Sequence, residues 1–161
     1  MAPFVVVHVL ISLIGIASGF VVLFGLLEGK RMAGLTAVFL LFTALTSVTG
    51  FMLPAPKLMP SHIVGTISLM FLAAAILAGY KYPMAGSCRR RYVITATVSQ
   101  YLNVFVLTAQ LFPKVPALKA LAPTESEPPF LTAQTVCLLF FVLLGVFATF
   151  KFRPMAAAAT V

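Results

Sequence analysis

Acidic residues are almost missing from this chain. Glu28, Glu125 and Glu127 are the only three, against eleven Lys and Arg, and all three fall between long apolar stretches. No carboxylate therefore lies inside a membrane-length segment, where proton-coupled pumps and intramembrane acid–base chemistry usually need one. That disfavours an enzyme or a proton-driven transporter. Charged residues of either sign make up 9% of the 161 residues and hydrophobic ones 61%, with a mean hydropathy of +1.11. So little polar surface cannot coat a soluble globule of this size. Cysteine is scarce as well. Cys88 and Cys137 cannot make a disulfide framework, and the topology below puts one at the inner face and the other in the outer half of the membrane, so both read as free thiols. There is no Walker loop, G-x-S-x-G, HExxH or CxxC motif.

What the chain does have is five apolar runs long enough to cross a bilayer as α-helices. The net charge of +8 sits in short basic runs between them, not along one face, which excludes a nucleic-acid footprint and makes these residues topology signals. The sequence predicts an all-α, polytopic transmembrane helix bundle in a single domain, with spans at about 4–27, 33–53, 62–80, 92–112 and 130–150. No Lys or Arg precedes the first run, which fits a span entered from outside and not a secretory leader. Five spans then put Lys30, Arg31, Lys81, Arg89, Arg90, Arg91, Lys151 and Arg153 on one side, and Lys57, Lys114 and Lys119 on the other. By the positive-inside rule the N-terminus is outside and the C-terminus inside. Segment 113–129, with five prolines, reads as an outer loop with room for a short surface helix at Pro116–Leu121, and Pro128 suits the first turn of the fifth span. No internal repeat is present, and five spans do not divide into the paired halves of many secondary transporters.

Helical periodicity assigns an inward stripe to each span. The stripes are His8, Ser12, Gly15 and Gly19 in the first span, Thr36, Thr43, Ser47 and Gly50 in the second, and His62, Thr66, Leu69 and Ala73 in the third. The fourth has Ser99, Gln100, Asn103 and Gln110 on one side, and the fifth offers Gln134, Gly145 and Thr149. Small and hydroxyl residues at these spacings are ordinary membrane packing, and Gly15-x-x-x-Gly19 lets helix backbones approach closely. The amides need partners, so their side of the fourth helix belongs in the bundle interior or a wet cavity.

At 1.5 Å per residue from the outer helix ends, His8 and Gln134 lie roughly 6 Å deep, and His62 and Gln110 within roughly 3 Å. Strong hydrogen-bonding groups from four helices thus reach nearly one level. They could simply bond one another, carbonyls or interfacial water. They could also line a pocket for a quinone-like or lipid-like ligand, with His8, His62, Gln110, Gln134, Asn103 and Gln100 as binding residues and apolar side chains around the tail. A third reading makes His8 and His62 ligands of a b-type haem or copper, with Met52 and Met59 as softer partners. A single His pair could not carry electrons across the membrane on two stacked haems. The expected role is a small binding or accessory protein, in contact with membrane lipids and with a partner subunit or a second copy; a small-solute transporter is the remaining alternative.

The stretch Tyr101-Leu102-Asn103-Val104-Phe105-Val106 continues through Gln110 and Lys114-Val115-Pro116-Ala117-Leu118-Lys119-Ala120-Leu121-Ala122-Pro123-Thr124 to Ser126-Glu127-Pro128-Pro129-Phe130. It resembles a family of small uncharacterised bacterial multi-spanning inner-membrane proteins. The resemblance covers under a fifth of the chain. It implies a bacterial inner-membrane location and attaches no activity.

Overall fold

A computed structural model describes residues 2–53, 60–81 and 85–153. Among them there are helices and no strands. The order is α1 (Ala2–Leu27), α2 (Ala33–Phe51), α3 (Pro60–Ile76) with a π-helical extension Leu77–Lys81, α4 (Gly86–Lys114), α5 (Pro116–Leu121) and α6 (Pro128–Lys151). Five of these helices, all but α5, are long and apolar enough to cross a membrane. In hydrocarbon every backbone N–H and C=O must be satisfied within the segment, so even the β-branched run Val5-Val6-Val7 is helical.

The helix bounds differ from the hydropathy reading, most of all at α4. The fourth helix begins at Gly86, so Arg89, Arg90 and Arg91 lie inside it, and it runs through Pro113 to Lys114. Apolar runs mark the part of a helix in hydrocarbon, and charged turns beyond it remain helical. The third span ends as the π turn Leu77–Lys81, one residue past Tyr80. Pro128 does occupy the first turn of α6, and the expected surface helix forms as α5. The α1–α2 connection is a Schellman turn: Gly29 has φ +74°, Gly29 N–H donates to Leu26 O and Lys30 N–H to Gly25 O.

Consecutive spans are antiparallel, and α4 packs against all four others. One end of the bundle carries His8, His62 and Lys114 and is termed the histidine end. The opposite, arginine end carries Arg31 and the Arg89–Arg91 run. At the arginine end the packing is dense. Leu23, Leu26, Tyr92, Val93, Phe141 and Phe152 form one buried cluster with their neighbours, and Val22, Phe39, Leu72 and Ala96 belong to a second. Arginines close this end by capping exposed carbonyls: Arg31 donates to Gly79 O of the π turn and lies over the Tyr80 ring at 5.7 Å, and Arg89 donates to Phe152 O beyond α6. A cation on the last carbonyls of a helix also opposes the negative end of its dipole.

Midway along the bundle, polar groups replace apolar ones. Gln100 Nε2 donates to Ile16 O at 2.8 Å, and Asn103 Nδ2 donates to Thr43 Oγ1 at 3.0 Å. Gly19 makes the first of these contacts possible, because a Cβ there would stand 2.1 Å from Gln100 Oε1 and 2.9 Å from Phe39 Cδ2. Gly15 lies against the backbone of Phe42 and Thr43. The stripes expected on α1, α2 and α4 face inward, with Gly15, Gly19, Thr36, Thr43, Ser47, Ser99 and Asn103 buried. The α3 stripe is rotated: Thr66 and Ala73 are exposed, while Ser68, Leu72 and Ala75 are buried. Thr66 satisfies its hydroxyl on His62 O, 2.9 Å away in its own helix, so it can face lipid without penalty.

Candidate functional site

Above the polar midlayer the bundle is hollow. A cavity of about 190 Å³ opens between α1, α2, α3 and α4 in the histidine-end half. His8, His62, Gln110 and Lys114 stand towards its mouth, and Ile16, Ser47, Ser68 and Asn103 lie towards its floor, with Val5, Val9 and Leu102 among the apolar walls. From Asn103 to Lys114 the α4 side spans roughly 16 Å along the helix axis.

His8 is half-buried, and its Nδ1 lies 2.7 Å from Thr49 Oγ1. The Thr49 hydroxyl has one hydrogen and gives it to Leu45 O at 2.6 Å. Oγ1 therefore accepts from His8 Nδ1–H, which fixes the neutral tautomer with a lone pair on Nε2. His62, also half-buried, stacks on Phe51 with ring centroids 5.5 Å apart. The two imidazoles, from α1 and α3, thus contact Thr49 and Phe51 in the last turn of α2. A Cβ at Gly50 would meet His8 Cε1 at 3.6 Å, so this position faces the His8 ring.

Polar capacity at the floor is left over. Ser68 is 3% exposed, and its Oγ has no partner among the described residues. An orphan buried hydroxyl costs roughly 1–3 kcal/mol unless something fills it. The cavity contains no carboxylate among its lining residues, so its charged and amide groups favour an occupant rich in oxygen acceptors.

His8, His62, Asn103 and Gln110 are therefore brought together, and Gln100 and Gln134 are not. Gln100 sits one layer beneath, held on Ile16 O. Gln134 Nε2 donates to Phe105 O across the α4–α6 contact at 3.2 Å. Sequence reasoning did not single out Ser68, Thr49 or Lys114. Lys114 was counted only as a topology charge, and the partnership of Thr49 with His8 joins residues 41 positions apart, which periodicity within one helix does not reveal. Among the described residues, no three His, Cys, Asp or Glu side chains gather as a metal site. Met52, offered as a softer ligand, is 66% exposed, and Met59 lies outside the described residues.

Fold and composition define a class: an all-α, multi-pass membrane protein with a dense half and a hollow half. Comparison with family models, with curated proteins and with solved structures returned no match.

Proposed function

We propose that the protein is a membrane-embedded binding or accessory protein whose histidine-end cavity holds the ring of a quinone-like ligand, with the tail leaving between helices towards lipid. One observation carries the reading: His8, His62, Gln110 and Asn103, from three helices, line one cavity that also contains the Ser68 hydroxyl, which has no partner among the described residues. His8 Nε2 accepts from a hydroxyl of the reduced ring, and Gln110 or Lys114 donates to a ring oxygen. The volume favours a single ring over a haem macrocycle, being below the roughly 300–1,000 Å³ usual for sites of drug-sized ligands. The eight-to-three distribution of Lys and Arg supports an orientation with the histidine end outside. The resemblance around residues 101–130 supports a bacterial inner membrane.

The test is titration of protein in mild detergent with a short-chain quinone, reduced and oxidised, against Gly50→Phe, which places a ring in the cavity mouth. Saturable thermal stabilisation of the wild type, absent in Gly50→Phe, supports the proposal. Equal responses of the two proteins refute it. A haem or copper band in the visible spectrum of the purified protein would favour the redox-metal alternative at the same two histidines.

A further inference from the structure

A second concavity lies on the outside of the bundle, at the opposite end from the histidines. It is a groove of about 260 Å³ between α4 and α6, with Ile94, Thr97, Tyr101, Val142, Gly145 and Thr149 among its lining residues. Its two threonines are satisfied within their own helices, Thr97 on Val93 O at 2.8 Å and Thr149 on Val146 O at 2.7 Å. Neither threonine therefore makes a further hydrogen-bonding demand, and apart from the Tyr101 hydroxyl the other lining side chains are apolar, which suits an alkyl chain. Gly145 keeps it open, since a Cβ there would come within 3.2 Å of Thr97 Cγ2. Tyr101, packed edge-on against Phe141 at 5.9 Å, stands at its far end. From Ile94 to Tyr101 it runs roughly 10 Å, about a third of the hydrocarbon thickness.

The charge at the near end is as specific as the groove. On α4, Arg90, Ile94, Thr97 and Tyr101 follow i, i+4, i+7 and i+11, so Arg90 stands on the groove's own stripe one turn above it. Arg153 lies two residues beyond the end of α6 and follows Phe152, whose carbonyl Arg89 caps, so it stands beside the first turns of α4. Both arginines are exposed. Among the described residues the only ion pair is Lys30–Glu28, so neither arginine has a carboxylate partner there. Arg90 also sits in the first turns of α4, where the helix dipole adds positive potential. Two cations at the mouth of an apolar, chain-width groove complement a molecule with an anionic head and an alkyl tail.

We propose that this groove is a binding site for one anionic phospholipid, its phosphate between Arg90 and Arg153 and one acyl chain between α4 and α6. Charge complementarity selects the lipid over a second protein copy, since an apolar helix would leave both guanidinium groups unanswered. The site shares no lining residue with the histidine-end cavity.

The experiment is native mass spectrometry of delipidated protein with phosphatidylglycerol or phosphatidylcholine of the same chain composition added back. The wild type retains one phosphatidylglycerol with roughly tenfold preference over phosphatidylcholine. Arg90→Gln with Arg153→Gln abolishes that preference, Gly145→Leu lowers retention of both lipids, and Lys119→Gln changes nothing. Equal retention of the two lipids by the wild type overturns the proposal, as does undiminished preference in the arginine variant. So do displacement of phosphatidylglycerol by soluble glycerol phosphate, which makes a free phosphate the ligand, and a dimer that survives added lipid with the groove covered.

Discussion

Gly19 on α1 and Gln100 on α4 are interlocked: the carboxamide occupies the place where a Cβ of residue 19 would be, while its Nε2 holds Ile16 O. Gly19→Ala should force Gln100 out of that position and break its hydrogen bond, at an overpacking cost of about 1–3 kcal/mol. In a Gln100→Ala background the same change should cost less by about 1 kcal/mol, because the two residues are in contact. Leu23→Ile, which keeps side-chain volume, should fall well below Gly19→Leu in its effect. Melting temperatures of these variants in detergent decide the matter, and additive effects would show that positions 19 and 100 do not meet.

Thr49→Val removes the acceptor that fixes the His8 tautomer. The expected loss of stability is about 0.5–2 kcal/mol, the scale of interhelical hydrogen bonds in membranes. The nitrogen chemical shifts of His8 should move from a single protonated-Nδ1 pattern to a tautomer mixture. A wild-type spectrum dominated by the Nε2–H tautomer would contradict the assignment.

The five spans were legible because lipid leaves a chain of this composition no other way to satisfy its backbone, and twenty-residue apolar runs register that directly. The inward faces of α1, α2 and α4 were legible from Gly15, Gly19, Thr43 and Asn103, whose spacing matches their burial. The α3 face was not, because Thr66 resembles an inward polar residue yet bonds its own helix. Start and end of α4 were hidden for a different reason: hydropathy sees the apolar segment, and Arg89 to Arg91 extend the helix beyond it. At the cavity, depth along each helix brought His8, His62 and Gln110 to one level. Depth does not say which helices are neighbours, so Gln134, at a plausible level, turns to Phe105 instead, and Gln100, a layer deeper, holds Ile16.

The proposed orientation rests on the basic residues of the arginine end. A reporter fused after Val161 should read cytoplasmic, and one inserted at Glu125 periplasmic. Replacing Arg89, Arg90 and Arg91 together should disturb this more than replacing Lys114 and Lys119. A periplasmic C-terminus would contradict the orientation.

Glu127 organises the turn before α6. Desolvation pushes its carboxyl up, but hydrogen bonds from the Thr124 hydroxyl and from the backbone N–H groups of Thr124 and Ser126 outweigh it and hold the carboxyl below its ordinary 4.5. A depressed folded-state value means that the carboxylate's contribution is present above the unfolded value and is lost as pH falls through the folded one. The turn, with Glu125 at φ 59°, should therefore keep its amide shifts to a lower pH than a free glutamate would allow. Glu127→Gln should remove that pH dependence. A Glu127 titration midpoint at or above 4.5 would contradict the account.

The measurement closest to the central claim is the ligand content of protein extracted from its native membrane, as wild type, His8→Ala, His62→Ala and the double variant, read by mass spectrometry for quinones and by visible spectroscopy for haem. The account predicts near-stoichiometric quinone in the wild type, loss of most of it in either single variant, and little further loss in the double, because groups acting on one ligand are strongly non-additive. Wild type extracted without quinone, or single variants that retain it in full, would contradict the account.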